Sequence, residues 1–311
     1  MKTPECSVSE MNNWIKKGLI FSDHHAQLPV ADVYDSFIRI YYSTRIEKRS
    51  RPTYIDVDKN DPTRIIRKNT VPILELGRPG SFDWAGVMPT AIITHDNRKY
   101  LYYIGWSVRQ DVPYHNNLGL AVSDDNGENW TKFSEGPIFH TSHKEPGYIG
   151  TIDVQIDDGI WKGWYLSCRE WIKVNGIMEP IYDIKYATSV DGINWEPSGI
   201  TSIELEGKEG GISAARVIKT KQGYKMWFSV RNKSDYRTNI NHSYRIKTAI
   251  SKNGIDWIRN ESIEIGLSAA GWDNIMTCYP YIIRQSDLQY IMFYNGNGFG
   301  SSGIGCAIQT F

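Results

Sequence analysis

The sequence predicts an all-β fold, a five-bladed β-propeller with one short N-terminal helix, on three observations. An aromatic strand pattern recurs five times at nearly constant spacing. A turn-bearing hairpin follows it in the three middle copies. An apolar strand precedes it in every copy.

The five copies are FIRIYYSTR (37–45), YLYYIGWSVR (100–109), WKGWYLSCR (161–169), YKMWFSVR (224–231) and YIMFYNGNG (290–298). Aligned on Tyr42, Tyr103, Tyr165, Phe228 and Tyr294, they are separated by 61, 62, 63 and 66 residues. Five such units fill 311 residues. The hairpins read AVSDDNGENW (121–130), ATSVDGINW (187–195) and AISKNGIDW (249–257). Asn-Gly and Asp-Gly tolerate the positive φ that tight turns need. The upstream strands lie at 26–34, 87–93, 151–156, 214–219 and 278–284. Each unit is therefore about four strands, and a four-stranded sheet repeated radially is a propeller blade. A solenoid rung is much shorter, and a sandwich does not repeat a hairpin at fixed period. Residues 1–311 are read as one domain. Ser7–Gly18 has a capping-box pattern, Ser7 with Glu10, and a glycine stop, which predicts the single helix. The polar stretch Ser50–Thr70 reads as a large excursion from the first blade.

Composition narrows the partners. Thirty-five basic residues balance thirty-five acidic ones, which gives no electrostatic reason to expect nucleic acid or an anionic membrane surface. No run approaches the roughly 20 apolar residues that span a bilayer. The N-terminus lacks the apolar core of a secretion signal, so a cytoplasmic location is expected. Cys6, Cys168, Cys278 and Cys306 are scattered, without the spacing of a disulfide framework or a zinc site. His140 and His143 have no third ligand beside them. GFGSSGIG (298–305) precedes a strand, not a helix, so it is no phosphate loop. No metal and no cofactor is expected.

The anchors also act as a ruler for chemistry. Nineteen to twenty-one residues before each stands an acid: Asp23, Asp83, Glu145, Glu209 and Asp273. In a propeller the first strands surround the axis and start on one face, so the expectation is a ring of carboxylates around one mouth. Acids before strands also cap turns or pair with cations. Twelve residues before the anchors, Asp153 and Arg216 replace the apolar residues of the other blades. They either pair across the third and fourth blades or face the axis. Arg45, Arg109, Arg169 and Arg231 follow their anchors and suit an anionic sugar, a sugar phosphate or the acids themselves. His25 lies beside Asp23. Trp84, Trp106, Trp171 and Trp272 flank the expected mouth as stacking surfaces. Tyr279 begins the fifth inner strand and Asn295 directly follows the fifth anchor; both are read as substrate-binding.

The five-blade layout, the S-x-DG-x-x-W hairpins and the closing YNGNGFGSSGIGCA (294–307) resemble the five-bladed propeller glycosidase superfamily. That group includes arabinanases, xylosidases, invertases and mannoside phosphorylases, and this chain resembles a branch associated with bacterial surface-polysaccharide clusters. The resemblance implies an axial funnel with three carboxylates. Asp83 in FDWAGVMP and Glu145 in HKEPGYIG resemble acidic positions of the family. The invertase-type WMNDPNG, RDP and EC motifs are absent. On this basis Glu145 is the expected general acid, with Asp83 or Asp273 as base or nucleophile and Asp153 orienting. Asp23, His25, Arg169, Trp171, Glu209, Arg216, Arg231, Tyr279 and Asn295 are the expected sugar-binding residues. The implied function is an enzyme that makes or breaks a glycosidic bond in an acidic axial pocket, on a carbohydrate or activated sugar. The alternatives are a sugar-phosphate or sugar-nucleotide transferase or phosphorylase, and a glycan-binding propeller without catalysis. Two carboxylates facing one open pocket favour glycosidase chemistry. Carboxylates locked in arginine pairs with no cavity between them favour binding or a purely structural role.

Overall fold

The structure is a computed structural model that describes residues 14–23 and 25–311. It is all-β, with twenty strands and one short 3₁₀ turn among the described residues. The N-terminal strand is β1 (Ile15–Phe21). The first meander is β2 (Gln27–Val33), β3 (Phe37–Ile46), β4 (Arg49–Asp58) and β5 (Ile65–Lys68). The second is β6 (Gly86–His95), β7 (Arg98–Ser107), β8 (His115–Ser123) and β9 (Thr131–Lys132). The third is β10 (Ile149–Asp157), β11 (Ile160–Val174), β12 (Ile177–Ser189) and β13 (Glu196–Ile203). The fourth is β14 (Glu209–Thr220), β15 (Gly223–Asn232), β16 (Arg245–Ser251) and β17 (Trp257–Asn260). The last unit is β18 (Cys278–Ser286), β19 (Gln289–Asn295) and β20 (Ile304–Thr310), with β1 as its fourth strand.

Pairing within each unit is antiparallel and sequential. The first and second units touch through a single parallel pair, Ser50 with Gly86, and the third and fourth through Tyr182 with Gly211. The first strands form a closed circuit of neighbours: β2 lies against β6, β6 against β10, β10 against β14, β14 against β18, and β18 against β2.

Two expectations are corrected. The segment expected to end a helix, Ile15–Gly18, is strand. Its side chains alternate between exposed and half-buried, and it pairs antiparallel with β20. Period-two burial suits a sheet edge, and Gly18 sits at φ +96°, where a helix cannot continue. The rest of that expected helix, Ser7–Asn13, lies outside the described residues. Ser50–Thr70 is likewise no excursion. Alternating apolar and polar residues in RPTYIDVD make β4, and the segment supplies the third and fourth strands of the first meander.

The recurring hairpins lock neighbouring units. Ser123, Ser189 and Ser251 each accept a hydrogen bond on Oγ from the glycine N–H of their turn, at 2.8, 3.0 and 2.8 Å. Those glycines, Gly127, Gly192 and Gly254, have φ of +88°, +72° and +80°. Each glycine carbonyl then accepts a bond from the preceding unit: Arg39 to Gly127, Tyr102 to Gly192 at 2.7 Å, and Trp164 to Gly254 at 2.8 Å. The aromatics therefore do two jobs. Their rings fill the spaces between sheets, as Trp164 does against Tyr186, Tyr224 and Trp257, and their polar tips hold the next turn.

Candidate functional site

Every first strand carries a register irregularity near its start. The shifts fall between Gln27 and Val30, Pro89 and Ala91, Ile149 and Ile152, Ser213 and Arg216, and Cys278 and Tyr281. Three of these bulges hold a non-glycine residue at positive φ: Leu28 at +57°, Ala214 at +51° and Tyr279 at +54°. Such backbone is costly, and bulges of this kind re-aim side chains beside sites. The freed amides are recovered by side chains. Leu28 N–H donates to Asn295 Oδ1, Ala214 N–H to Thr151 Oγ1, and Tyr279 N–H to Ser229 Oγ.

The five bulges surround a cavity of about 460 Å³. Leu28, Met88, Thr151, Ser213 and Tyr279 reach it from the five first strands. Ile104, Trp106 and Leu166 add apolar wall. Tyr114, Tyr148, Tyr182, Tyr236 and Tyr244 come from later strands and loops, and Phe299 from the 3₁₀ turn Asn297–Gly300. The basic lining is Arg45 and Arg237, with the His25 imidazole beside them; among the described residues no carboxylate lines this cavity.

Behind the wall the polar groups form one connected set. Arg231 is 1% exposed, yet no carboxylate pairs with it among the described residues. Its Nε–H donates to Tyr182 Oη at 3.0 Å, and its terminal nitrogens donate to the carbonyls of Pro180 and Asn232. Its guanidinium lies 3.9 Å from the Tyr236 ring centre and 4.8 Å from that of Tyr182. Tyr182 and Tyr244 share a short hydroxyl–hydroxyl bond. Buried Glu179 accepts from Tyr236 Oη at 2.6 Å and pairs with Arg237. Burial pushes the His25 imidazole below its usual value; its bond to Gln27 opposes this and Arg45 adds to it.

The expected ring of acids lies elsewhere. Asp83 is held by Lys132 at 2.6 Å, by the anchor Tyr103 at 3.3 Å and by Ser81 at 2.9 Å. Glu145 is held by Lys185 and by the anchor Tyr165, each at 2.9 Å. Asp273 is held by Lys16 at 2.6 Å and the anchor Tyr294 at 2.9 Å. Glu209 takes a two-pronged bond from Arg259, and Asp23 pairs with Lys68. Each acid thus reaches outward across its own sheet, over the second strand to a cation on the third or fourth.

The remaining expected residues are dispersed. Asp153 and Arg216 pair at 2.6 Å across the third and fourth units. Burial raises the Asp153 carboxyl, with Arg216 opposing. Arg216 lines a second cavity, of about 300 Å³, near the far ends of the first strands. Arg169 pairs with Asp183 and Glu204. Trp171 packs behind the first cavity, against Tyr114 and Tyr148. Asn295 is consumed by Leu28, Ala26 and Gly303. Trp84 stacks under Arg49 and Trp272 against Tyr294. Of the expected binding residues, His25, Arg45, Trp106 and Tyr279 line the cavity, and Arg231 stands directly behind it. Of the remaining tyrosines, Tyr182 and Tyr244 hold the same position relative to the third strand of the third and fourth units, 62 residues apart, a spacing that could have marked them, whereas Tyr114, Tyr148 and Tyr236 come from loops with no shared register.

No protein-family model matches the chain. An uncharacterized protein of Mycobacterium tuberculosis (strain H37Rv) is 31% identical over 311 residues, covering 95% of this chain and 98% of the relative. The chain belongs to the family of that mycobacterial protein. The same identity is found with the counterpart from strain CDC 1551. For this family the solved structures give the fold. A glycoside hydrolase superposes with TM-score 0.71 at 16% identity, over 94% of this chain and 90% of its own. A structure described under the GH130 family of mannoside phosphorylases and glycoside hydrolases gives 0.65 at 15%, over 93% and 85%. A thermostable family-43 glycoside hydrolase gives 0.64 at 13%, over 91% and 88%. The chain shares its fold with these glycoside hydrolase structures.

Proposed function

We propose that the chain is one five-bladed propeller and a carbohydrate-active protein, with its saccharide site in the tyrosine-lined cavity on the axis. Support for the propeller comes from the five meanders, the circuit of first strands and the closure of the last unit by β1. Support for a carbohydrate ligand comes from the glycoside hydrolase folds it resembles. Aromatic walls with a few placed polar groups also suit a sugar, whose ring faces stack and whose rim hydroxyls hydrogen-bond.

The observation that carries the reading further is that, among the described residues, no carboxylate lines the cavity wall. Glycosidic hydrolysis by the common route needs two carboxyl groups about 5–9.5 Å apart across the bond. Glu145, Asp83 and Asp273 are instead buried, each between a lysine and a tyrosine of its own sheet. The reading is therefore binding or non-hydrolytic transfer at the cavity, not two-carboxylate hydrolysis. Titration with a saccharide panel, read by calorimetry, tests it. Trp106→Ala weakens binding at least tenfold, and the wild type releases no aryl group from aryl glycosides. Aryl-glycoside turnover that Glu145→Gln abolishes would overturn it.

A further inference from the structure

We propose that the saccharide taken by this cavity carries an anionic group, a phosphate or a carboxylate, and that the rim arginine Arg45 binds it. This rests on the reading of the cavity as the sugar site. The cavity offers donors and positive charge and little to accept them. Arg45 lines the rim and makes no hydrogen bond or ion pair among the described residues. Arg237 stands on the same wall with one carboxylate, Glu179. Arg231, buried behind Tyr182 and Tyr236, adds a third guanidinium whose hydrogen bonds among the described residues go to a phenol and two carbonyls. Among the described residues, three guanidiniums stand against one carboxylate, which leaves the site formally positive. A buried charge without a counter-charge is costly unless something supplies one.

Proton counting points the same way. Arg231 Nε–H uses a lone pair of the Tyr182 oxygen. The bond between Tyr182 and Tyr244 uses one of their two hydroxyl protons. Whichever phenol donates, the other retains a proton with no acceptor among the described residues. Both residues line the cavity. Ser213, 4% exposed, also lines it, and its Oγ has no hydrogen-bond partner. A neutral sugar would satisfy the hydroxyls but leave the charge unanswered. An anionic oxygen cluster answers both, and charge-assisted bonds to arginine are the strong ones.

The test is calorimetric titration of the full chain with neutral hexoses, their 1-phosphates, the corresponding uronates, and inorganic phosphate. The expected result is at least tenfold tighter binding of a hexose phosphate or a uronate than of its parent hexose, weakening as salt rises. The phosphate and uronate arms separate the two sources of charge. Arg45→Met, which breaks no hydrogen bond or ion pair among the described residues, should remove that tenfold preference, so that the charged sugar binds no more tightly than its parent hexose. Equal affinity for neutral and charged sugars, or a preference that survives in Arg45→Met, overturns this inference and leaves the sugar site standing. Binding of inorganic phosphate with no sugar bound also overturns it. If no member of the panel binds, the reading of the cavity as a sugar site falls with it.

Discussion

At the scale of single residues, each unit spends its acid on a brace. Glu145 joins a loop before β10 to Tyr165 on β11 and Lys185 on β12. Removing one partner of a buried pair leaves the other charge uncompensated, which costs about 3–5 kcal/mol. Glu145→Gln keeps the shape and part of the hydrogen bonding, so chemical denaturation should register a loss of about 2–3 kcal/mol. Lys185→Met in the same background should recover part of it. Full stability in Glu145→Gln would mean that the brace carries no load. The acid positions were legible in the sequence because they keep register with the anchors. Their direction was not, since it depends on cations more than a hundred residues away in one case, such as Lys16 for Asp273. A partial signal was present: Lys132 and Arg259 each stand two residues after the hairpin tryptophan, and each takes the acid of its own unit.

At the scale of elements, the hairpin is the repeated joint. Gly192 accepts the Tyr102 hydroxyl of the unit before, and a Cβ there would come within 2.6 Å of the Trp161 ring and 2.8 Å of the Tyr102 oxygen. At φ +72° a side chain is strained as well. Gly192→Ala should lower stability by about 1–3 kcal/mol, measured by thermal or denaturant unfolding. The same turn carries a pH signature. Burial pushes the Asp191 carboxyl up, but bonds from the amides of Asn194 and Ile193 and from the Asn194 and Ser189 side chains outweigh it and hold it at about 2. Its contribution is therefore complete above the unfolded value near 4 and is lost as pH falls toward about 2. With allowance for solvent screening it amounts to about 1 kcal/mol. Asp191→Ala should be less stable at neutral pH and lose less than wild type between pH 4 and pH 2. The turns were readable because Asn-Gly and Asp-Gly chemistry is local. Ile15–Gly18 is strand where the local pattern predicts helix, because Ile15–Phe21 answers to a partner at the other end of the chain.

At the scale of the whole molecule, closure depends on that distant pairing. β1 completes the last sheet against β20, Lys16 reaches Asp273, and Trp14 donates to Glu264. A chain beginning at Ser22 should unfold at least about 10 °C lower and aggregate more readily, because β20 becomes an open edge. An unchanged midpoint would show that β1 closes nothing. The same architecture explains why the cavity was harder to see than the sheets. Periodicity reports what the units share, such as the five bulges and the common register of Tyr182 and Tyr244, and the rest of the candidate site comes from single units: Tyr114 from one loop, Tyr236 and Arg237 from another, Phe299 from the final turn.

The most direct test sets the cavity against the ring of acids by measuring saccharide affinity and unfolding midpoint in Trp106→Ala and Glu145→Gln. The account predicts that Trp106→Ala loses at least tenfold in affinity, while Glu145→Gln binds as wild type and melts lower. Wild-type affinity in Trp106→Ala, together with lost binding or turnover in a fully stable Glu145→Gln, would contradict it.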